Sequence, residues 1–269
     1  MARDFAGKTV VVSGAAGGLG RALCQRFALA GARIVALDRD AAALEALDLP
    51  ASASALRLPC DVSREADCLA AMAQAREVFG GIDLLINNAG ITHRSAFAQT
   101  QPAVIRRVME VNYFGALYCT HAALEDLIAR RGMVIAISSV AGFAPLIARS
   151  GYAASKHALH GFFDSLRAEV ETLGVSVMLV CPSFIETGIE NNALAGDGNP
   201  ARHAQQIVGA RSTPEAIAEK ILRAAQKDHR LLLPDRISRL SWVVSRLAPR
   251  SYARIMARRL AGEMRRDPR

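Results

Sequence analysis

Long apolar runs are missing: nowhere in its 269 residues does the chain approach the ~18 uninterrupted apolar positions of a membrane-spanning helix. The opening Met1-Ala-Arg-Asp-Phe likewise lacks the apolar stretch of a secretory signal. Cysteine is sparse and unpatterned. The five thiols, at 24, 60, 68, 119 and 181, are odd in number and show no Cys-x-x-Cys spacing. That pattern predicts reduced cysteines, no metal site and a cytoplasmic location. Repeats and low-complexity tracts are absent, and lysine and tyrosine number only four each. The remainder is rich in core-forming residues. At 51% hydrophobic and 22% charged, the chain fills a full core and is too apolar to stay disordered.

Acidic residues are scarce in one region only. Residues 1–226 hold 21 Lys+Arg against 21 Asp+Glu, whereas residues 227–269 hold 12 against 4. The net charge of +8 therefore belongs to the tail, and inferences from the high isoelectric point concern the tail alone.

Thr9-Val10-Val11-Val12 is a β-branched run suited to a strand covered on both faces. It leads directly into Ser13-Gly14-Ala15-Ala16-Gly17-Gly18-Leu19-Gly20 and then a helical pattern of Leu19, Leu23 and Phe27. Strand, glycine loop and helix in that order aim backbone N–H groups and a helix N-terminus at a pyrophosphate. A second strand, Arg33–Asp38, ends in an acid twenty residues beyond Gly18. A carboxylate there accepts ribose hydroxyls of NAD and repels the 2′-phosphate of NADP, which makes NAD the expected cofactor and NADP the lesser one. Arg39 is the complication, since its guanidinium suits adenine or a phosphate. Further strands are expected at 56–61, 83–86, 133–137, 175–180 and 231–233, with helices at 66–79, 102–129, from Tyr152 onward, and 215–227. Such alternation predicts a Rossmann-type, doubly wound α/β fold: a mostly parallel seven-stranded sheet, helices on both faces, and C-terminal amphipathic helices. Residues 1–235 are expected to form a dinucleotide-binding catalytic domain, with 236–269 a basic amphipathic extension of it.

Gly151-Tyr152-Ala153-Ala154-Ser155-Lys156 carries the chemistry. Tyr152 and Lys156 are four apart and share a helix face. A phenol ordinarily ionises near pH ~10, and an adjacent ammonium favours the phenolate, so a Lys156 that lowers the Tyr152 pKa would make it a usable acid–base group.

Ser-Gly-x-x-x-Gly-x-Gly at 13–20, Asn-Asn-Ala-Gly at 87–90, Asn112, Ser139 and Tyr152-x-x-x-Lys156 resemble, in order and spacing, the short-chain dehydrogenase/reductase family over about residues 5–190. The resemblance implies hydride transfer between NAD(H) and an alcohol or ketone, with Tyr152 exchanging the proton. It implies that Lys156 also holds the nicotinamide ribose, Ser139 holds the substrate oxygen and Asn112 interrupts its helix and joins a proton relay. It also implies cofactor contacts at Gly14, Gly18, Leu19, Gly20, Asp38, Arg39, Asp61, Val62, Asn88, Tyr152, Lys156 and Thr187. Ser139, thirteen positions before the tyrosine, matches the family serine; Ser138 does not. Ser183 stands where the family has glycine, beside the expected nicotinamide position. Homodimers or homotetramers through 102–129 and 152–173 are expected by the same resemblance.

By family position, Ala141, Phe143, residues 145–149, Phe184 and the 188–211 loop would wall the substrate pocket. Their apolar character predicts an apolar secondary alcohol or ketone. His93 and Arg94 follow Asn-Asn-Ala-Gly and are candidates for the pocket mouth; Arg149 is a candidate for a substrate carboxylate. The Ala195–Pro200 stretch has the composition of a mobile lid or an ordinary loop. In the tail, Ile237, Leu240, Val244 and Leu247 share one face with Ser238, Ser241 and Ser245 opposite, and Tyr252, Ile255, Met256 and Leu260 form a second stripe beyond Pro249. Residues 236–264 are thus a packed helical cover, a peripheral membrane contact with Trp242 and Tyr252 at the headgroups, or a nucleic-acid arm. So much Leu, Ile and Val argues against nucleic acid. A non-catalytic dinucleotide sensor is the contending function.

Overall fold

The computed structural model describes residues 2–188, 192–201 and 209–264. Seven strands form one sheet: β1 (Thr9–Ser13), β2 (Arg33–Asp38), β3 (Ala55–Pro59), β4 (Leu84–Asn87), β5 (Met133–Ile137), β6 (Ser176–Val180) and β7 (Leu231–Leu232). Their order is β3-β2-β1-β4-β5-β6-β7, and every neighbouring pair is parallel. The central strands are buried on both faces, which is why β1, β4 and β5 read as unbroken apolar runs.

The helices are α1 (Gly18–Leu29), α2 (Ala41–Glu45), α3 (Glu65–Phe79), α4 (Pro102–Met109), α5 (Gly115–Ala129), α6 (Ser150–Val170), α7 (Pro214–Gln226), α8 (Arg236–Leu247) and α9 (Pro249–Arg259). On one face of the sheet, Leu23 and Phe27 of α1 and Ile217 and Ile221 of α7 pack against Val10, Val12 and Ile34. On the other, Met72 of α3, Leu127 of α5 and Phe163 of α6 pack against Val11, Val35 and Leu85. The long helix expected over 102–129 runs through in three parts, because residues 110–114 between α4 and α5 are π-helical. Asn112 lies in that widened turn, a feature that recurs at functional sites. The expected strand ends shift by one or two residues, which is the usual uncertainty at element termini.

Of the tail helices, α9 sits on the body through its apolar stripe, and α8 through a face that the apolar pattern did not indicate. The small cluster of Ala144, Tyr252, Met256 and Leu260 seats α9. In α8, however, Ser238 and Ser241 are the buried residues, while Leu240 and Leu247 point outward. Anchoring at the N-terminus sets this rotation. Asp235 caps α8 by accepting from Ser238 N at 2.8 Å, and its other oxygen accepts from Ser183 N at 3.0 Å. The cap thus ties the first turn of α8 to the loop after β6 and turns the serines inward.

Candidate active site

The chain reverses its winding direction between β1 and β4, and the crevice beyond their C-terminal ends is where such sheets bind ligands. Ser13 Oγ accepts from the N–H groups of Asn88 and Ala89, both at 3.1 Å, so the threonine-to-serine departure keeps its function of joining the two loops. Asn88 returns the connection by donating to the carbonyls of Ser13 and Gly14 at 3.0 and 3.1 Å. Glycine is required here for space. A Cβ on Gly14, already at φ +64°, would lie 2.8 Å from Ala89 Cα, and one on Gly18 would lie 2.8 Å from Thr187 Cα. A Cβ on Gly20 would collide with the Gly14 carbonyl. The loop therefore wraps tightly onto the N-terminus of α1, where Leu19 also lines the cleft. This cradle of backbone N–H groups fits a dinucleotide pyrophosphate.

Asp38 lies at the end of β2, its carboxylate accepting from Ala16 N at 3.0 Å and Asp40 N at 3.1 Å. It lines the cleft together with Arg39, Asp61 and Val62. Burial pushes the Asp61 carboxyl upward, but the Ser63 hydroxyl and amide and the Arg107 guanidinium more than offset this and hold it below its ordinary range. Thr187 closes the far side. Ser183, also on the cleft, keeps an ordinary negative φ, so its side chain introduces no backbone strain at the family's glycine position. Its buried hydroxyl has no partner among the described residues.

The reactive groups lie at the other end of the same cleft. β5 delivers Ser138 and Ser139, and the first turn of α6 delivers Tyr152, which is half-buried against the cavity. Ser139 Oγ accepts from Ala141 N at 3.2 Å and stands beside Tyr152, opposing the rise in the phenol's pKa. Ser138 points away, its hydroxyl meeting His160 Nε2 at 3.1 Å, with Cys181 Sγ 3.5 Å from the same nitrogen. Burial pushes the Cys181 thiol up to about 12 and the His160 imidazole down to about 4, so both are neutral packing groups behind the site at pH 7. Asn112 is clamped by the backbone of Ile91, accepting from its N–H at 2.8 Å and donating to its carbonyl at 2.9 Å, and it donates to Ser155 Oγ at 2.9 Å. Gly90 separates Asn112 from the Lys156 ammonium; a Cβ there would approach both, at 3.3 and 3.6 Å.

Lys156 lies over the Tyr152 ring on the same face of α6. Lys156 Nζ donates to the Ile137 carbonyl at 2.8 Å and sits 5.7 Å from the Tyr152 ring centroid. Burial pushes the Lys156 pKa down to about 8. It pushes the Tyr152 phenol up; Ser139 and the Arg149 guanidinium oppose that rise. The ammonium is thus held over the Tyr152 ring by the Ile137 carbonyl.

The cleft has a volume of about 540 Å³. Ala141, Pro145, Leu146 and Phe184 line it as expected. Phe143 does not; it turns outward against Trp242, ring centroids 4.9 Å apart. Four tail residues that sequence reasoning missed complete the wall: Ile237, Ser241, Tyr252 and Met256. Arg149 also lines the cleft, but its guanidinium pairs with Glu263 at 3.3 Å, both side chains being buried. Nothing in the sequence announces a pair 114 positions apart. His93 is a fully buried acceptor for Gly151 N at 3.0 Å, positioning the start of α6, and is not at the mouth; burial and then the Arg149 charge lower its pKa to about 4. Arg94 is buried too, with Nη2 donating to the Ala201 carbonyl at 3.4 Å. The supposed lid tip is held in place: Gln101 N donates to Gly196 O and Arg94 N to Leu194 O, both at 2.8 Å. Residues 189–191 and 202–208 of that loop lie outside the described residues. Among the described residues, no cluster suits a metal ion and no helix is long and apolar enough to cross a membrane.

A glycine cradle beside β1, a carboxylate closing β2, and Ser139, Tyr152 and Lys156 on one cleft with Asn112 buried behind them suit a dinucleotide-dependent oxidoreductase. The family model for short chain dehydrogenase matches residues 8–197, and the chain belongs to that family. It is 42% identical over 265 residues to a bovine protein named dehydrogenase/reductase SDR family member 7B, covering 94% of this chain and 82% of that one. It is 37% identical to the Anopheles gambiae dehydrogenase/reductase SDR family protein 7-like, covering 96% and 84%. Among solved structures, a Streptomyces avermitilis short-chain dehydrogenase superposes with a TM-score of 0.81 at 27% identity, over 95% of this chain and 97% of that one. A Burkholderia phymatum enzyme in complex with NAD and a Burkholderia cenocepacia enzyme in complex with NADP share the fold, each with a TM-score of 0.81, at 24% and 22% identity. The first covers 94% of this chain and 96% of its own, the second 94% and 99%.

Proposed function

We propose that the protein interconverts an apolar secondary alcohol and its ketone, using NAD(H) in preference to NADP(H). The observation that carries this reading is the placement of Tyr152, Ser139 and Lys156 at one end of a cleft whose other end is the glycine cradle, with Asn112 buried behind them on Ser155 Oγ. Bound there, the nicotinamide would supply or accept the hydride. The Tyr152 hydroxyl would give its proton to the carbonyl oxygen in reduction and take it back in oxidation. Ser139 Oγ would donate to the same substrate oxygen, stabilising charge that develops on it. Lys156, with its pKa brought to about 8, exchanges a proton close to neutral pH. Asn112, on the other side of Gly90, would help hold a water through which that proton reaches solvent, its own side chain staying unprotonated. In this role Lys156 serves the relay and ribose binding and favours the phenolate form of Tyr152, with Ser139 and Arg149 also opposing the rise that burial causes in the phenol's pKa.

Asp38 supports the preference for NAD, since its carboxylate lines the cleft and no basic residue stands at Gly17. The apolar walls support an apolar substrate. We also propose a cytoplasmic homodimer or homotetramer, for which exposed Phe114 beside α5 offers apolar surface. A non-catalytic sensor would have no need of this complete set of proton-transfer groups. Tyr152→Phe is the test: NAD binding near wild type with turnover down roughly 10²-fold or more. Turnover within a few-fold of wild type on the true substrate would defeat the mechanism.

A further inference from the structure

The outer faces of α8 and α9 are unusual in composition. Leu240, Val243 and Leu247 of α8 are 65%, 50% and 82% exposed, and Ile255 of α9 is 47% exposed. Seven arginines, at 236, 239, 246, 250, 254, 258 and 259, are exposed on the same two helices, and residues 236–259 contain no acid. On α8 the three apolar residues fall on one stripe, with Arg236 within it and Arg239 and Arg246 along one edge. The aromatic residues are occupied elsewhere. Trp242 meets Phe143 edge-on and carries the Arg246 guanidinium on its ring, and Tyr252 is buried with its hydroxyl 3.5 Å from Ser241 Oγ. The exposed apolar surface is therefore aliphatic.

We propose that these outer faces dock on an anionic lipid surface. Charge complementarity selects this occupant. A second copy of the chain meeting the patch about a two-fold axis would set arginine against arginine with no acid to offset it. A nucleic acid would satisfy the arginines but leave the leucines in water. A bilayer of net negative charge takes both, the guanidiniums at the phosphates and the aliphatic side chains below them. The opposite faces of the same helices add a reason. Ile237, Ser241, Tyr252 and Met256 wall the cleft, so docking would bring the cleft beside the lipid. Resting on the proposed apolar substrate, this gives the contact a purpose: the substrate would reach the cleft from the bilayer without crossing water.

The test is co-sedimentation of the full chain with vesicles of phosphatidylcholine alone, or of phosphatidylcholine with phosphatidylglycerol, at low and high salt. Two variants accompany it: Leu240→Asp/Leu247→Asp and Arg250→Glu/Arg254→Glu, all at exposed positions. Wild type should bind the anionic vesicles and lose binding at high salt, and each variant should bind roughly tenfold or more weakly. Circular dichroism and turnover of a short, water-soluble secondary alcohol are followed alongside, so that loss of lipid binding is read separately from loss of catalysis. Three results would overturn the proposal: folded wild type staying in the supernatant with every vesicle; binding that the leucine variant leaves unchanged; or a leucine variant whose main effect is to dissociate an oligomer.

Discussion

Lys156→Met separates stability from function at the centre of the site. The ammonium is buried, and burial lowers its pKa from 10.5 to about 8. Converted to free energy, that displacement means the charged form destabilises the folded state by about 3 kcal/mol at pH 7. Methionine keeps the apolar stem and removes that penalty. It also removes the hydrogen bond to the Ile137 carbonyl, a loss of roughly 1–2 kcal/mol for a charged donor. The variant should therefore be more stable by about 1–2 kcal/mol, raising Tm by roughly 2–8 °C, while turnover collapses. The sign can be checked against pH. Below pH 8 both the folded and the unfolded chain hold the proton and the penalty is complete. Between pH 8 and 10.5 the unfolded chain holds a proton that the folded chain has released, so wild-type stability rises with pH. The advantage of the variant should shrink across that window. Urea denaturation without dinucleotide at several pH values from 7 to 10 measures it. A variant less stable than wild type by more than ~1 kcal/mol at pH 7, or a difference that does not change with pH, would refute the reasoning.

Asp38→Ala should weaken NAD and raise the relative use of NADP, because an acceptor for ribose hydroxyls and a repelling charge are lost together. A direct titration in which wild type already prefers NADP would make Arg39 the better guide. Glu263→Ala leaves the buried Arg149 guanidinium without this partner and should cost about 3–5 kcal/mol in urea denaturation, much of it recovered in Arg149→Met/Glu263→Leu. A loss under ~1 kcal/mol would show that the pair contributes little. His93 and His160 have folded pKa values near 4 against an ordinary 6.5, so stability should fall as pH drops from 6.5 toward 4. His160→Asn should flatten part of that decline; an unaltered slope would assign acid sensitivity to other groups.

The sheet and its parallel strands were legible in the sequence because each follows from short-range information, whereas the break at Asn112 came only from the resemblance to the family. A strand buried on both faces must be apolar throughout, a helix must repeat its apolar residues every three to four positions, and the cradle admits only glycine at 14, 18 and 20. The order of the reactive residues was legible for the same reason: each sits at the end of a strand or on the first turns of a helix. What each side chain touches was decided only by tertiary structure. The pattern of α8 suggested that Leu240 and Leu247 face the body, yet the Asp235 cap, held by Ser183 across the loop after β6, rotates the serines inward. His93 at the start of α6, Glu263 on Arg149 and the tail residues in the cleft join positions 58, 114 and more apart. Periodicity carries no information about such partners. Lys156 shows the limit most sharply: four-residue spacing placed it on the face of Tyr152, and the Ile137 carbonyl determined where its ammonium points.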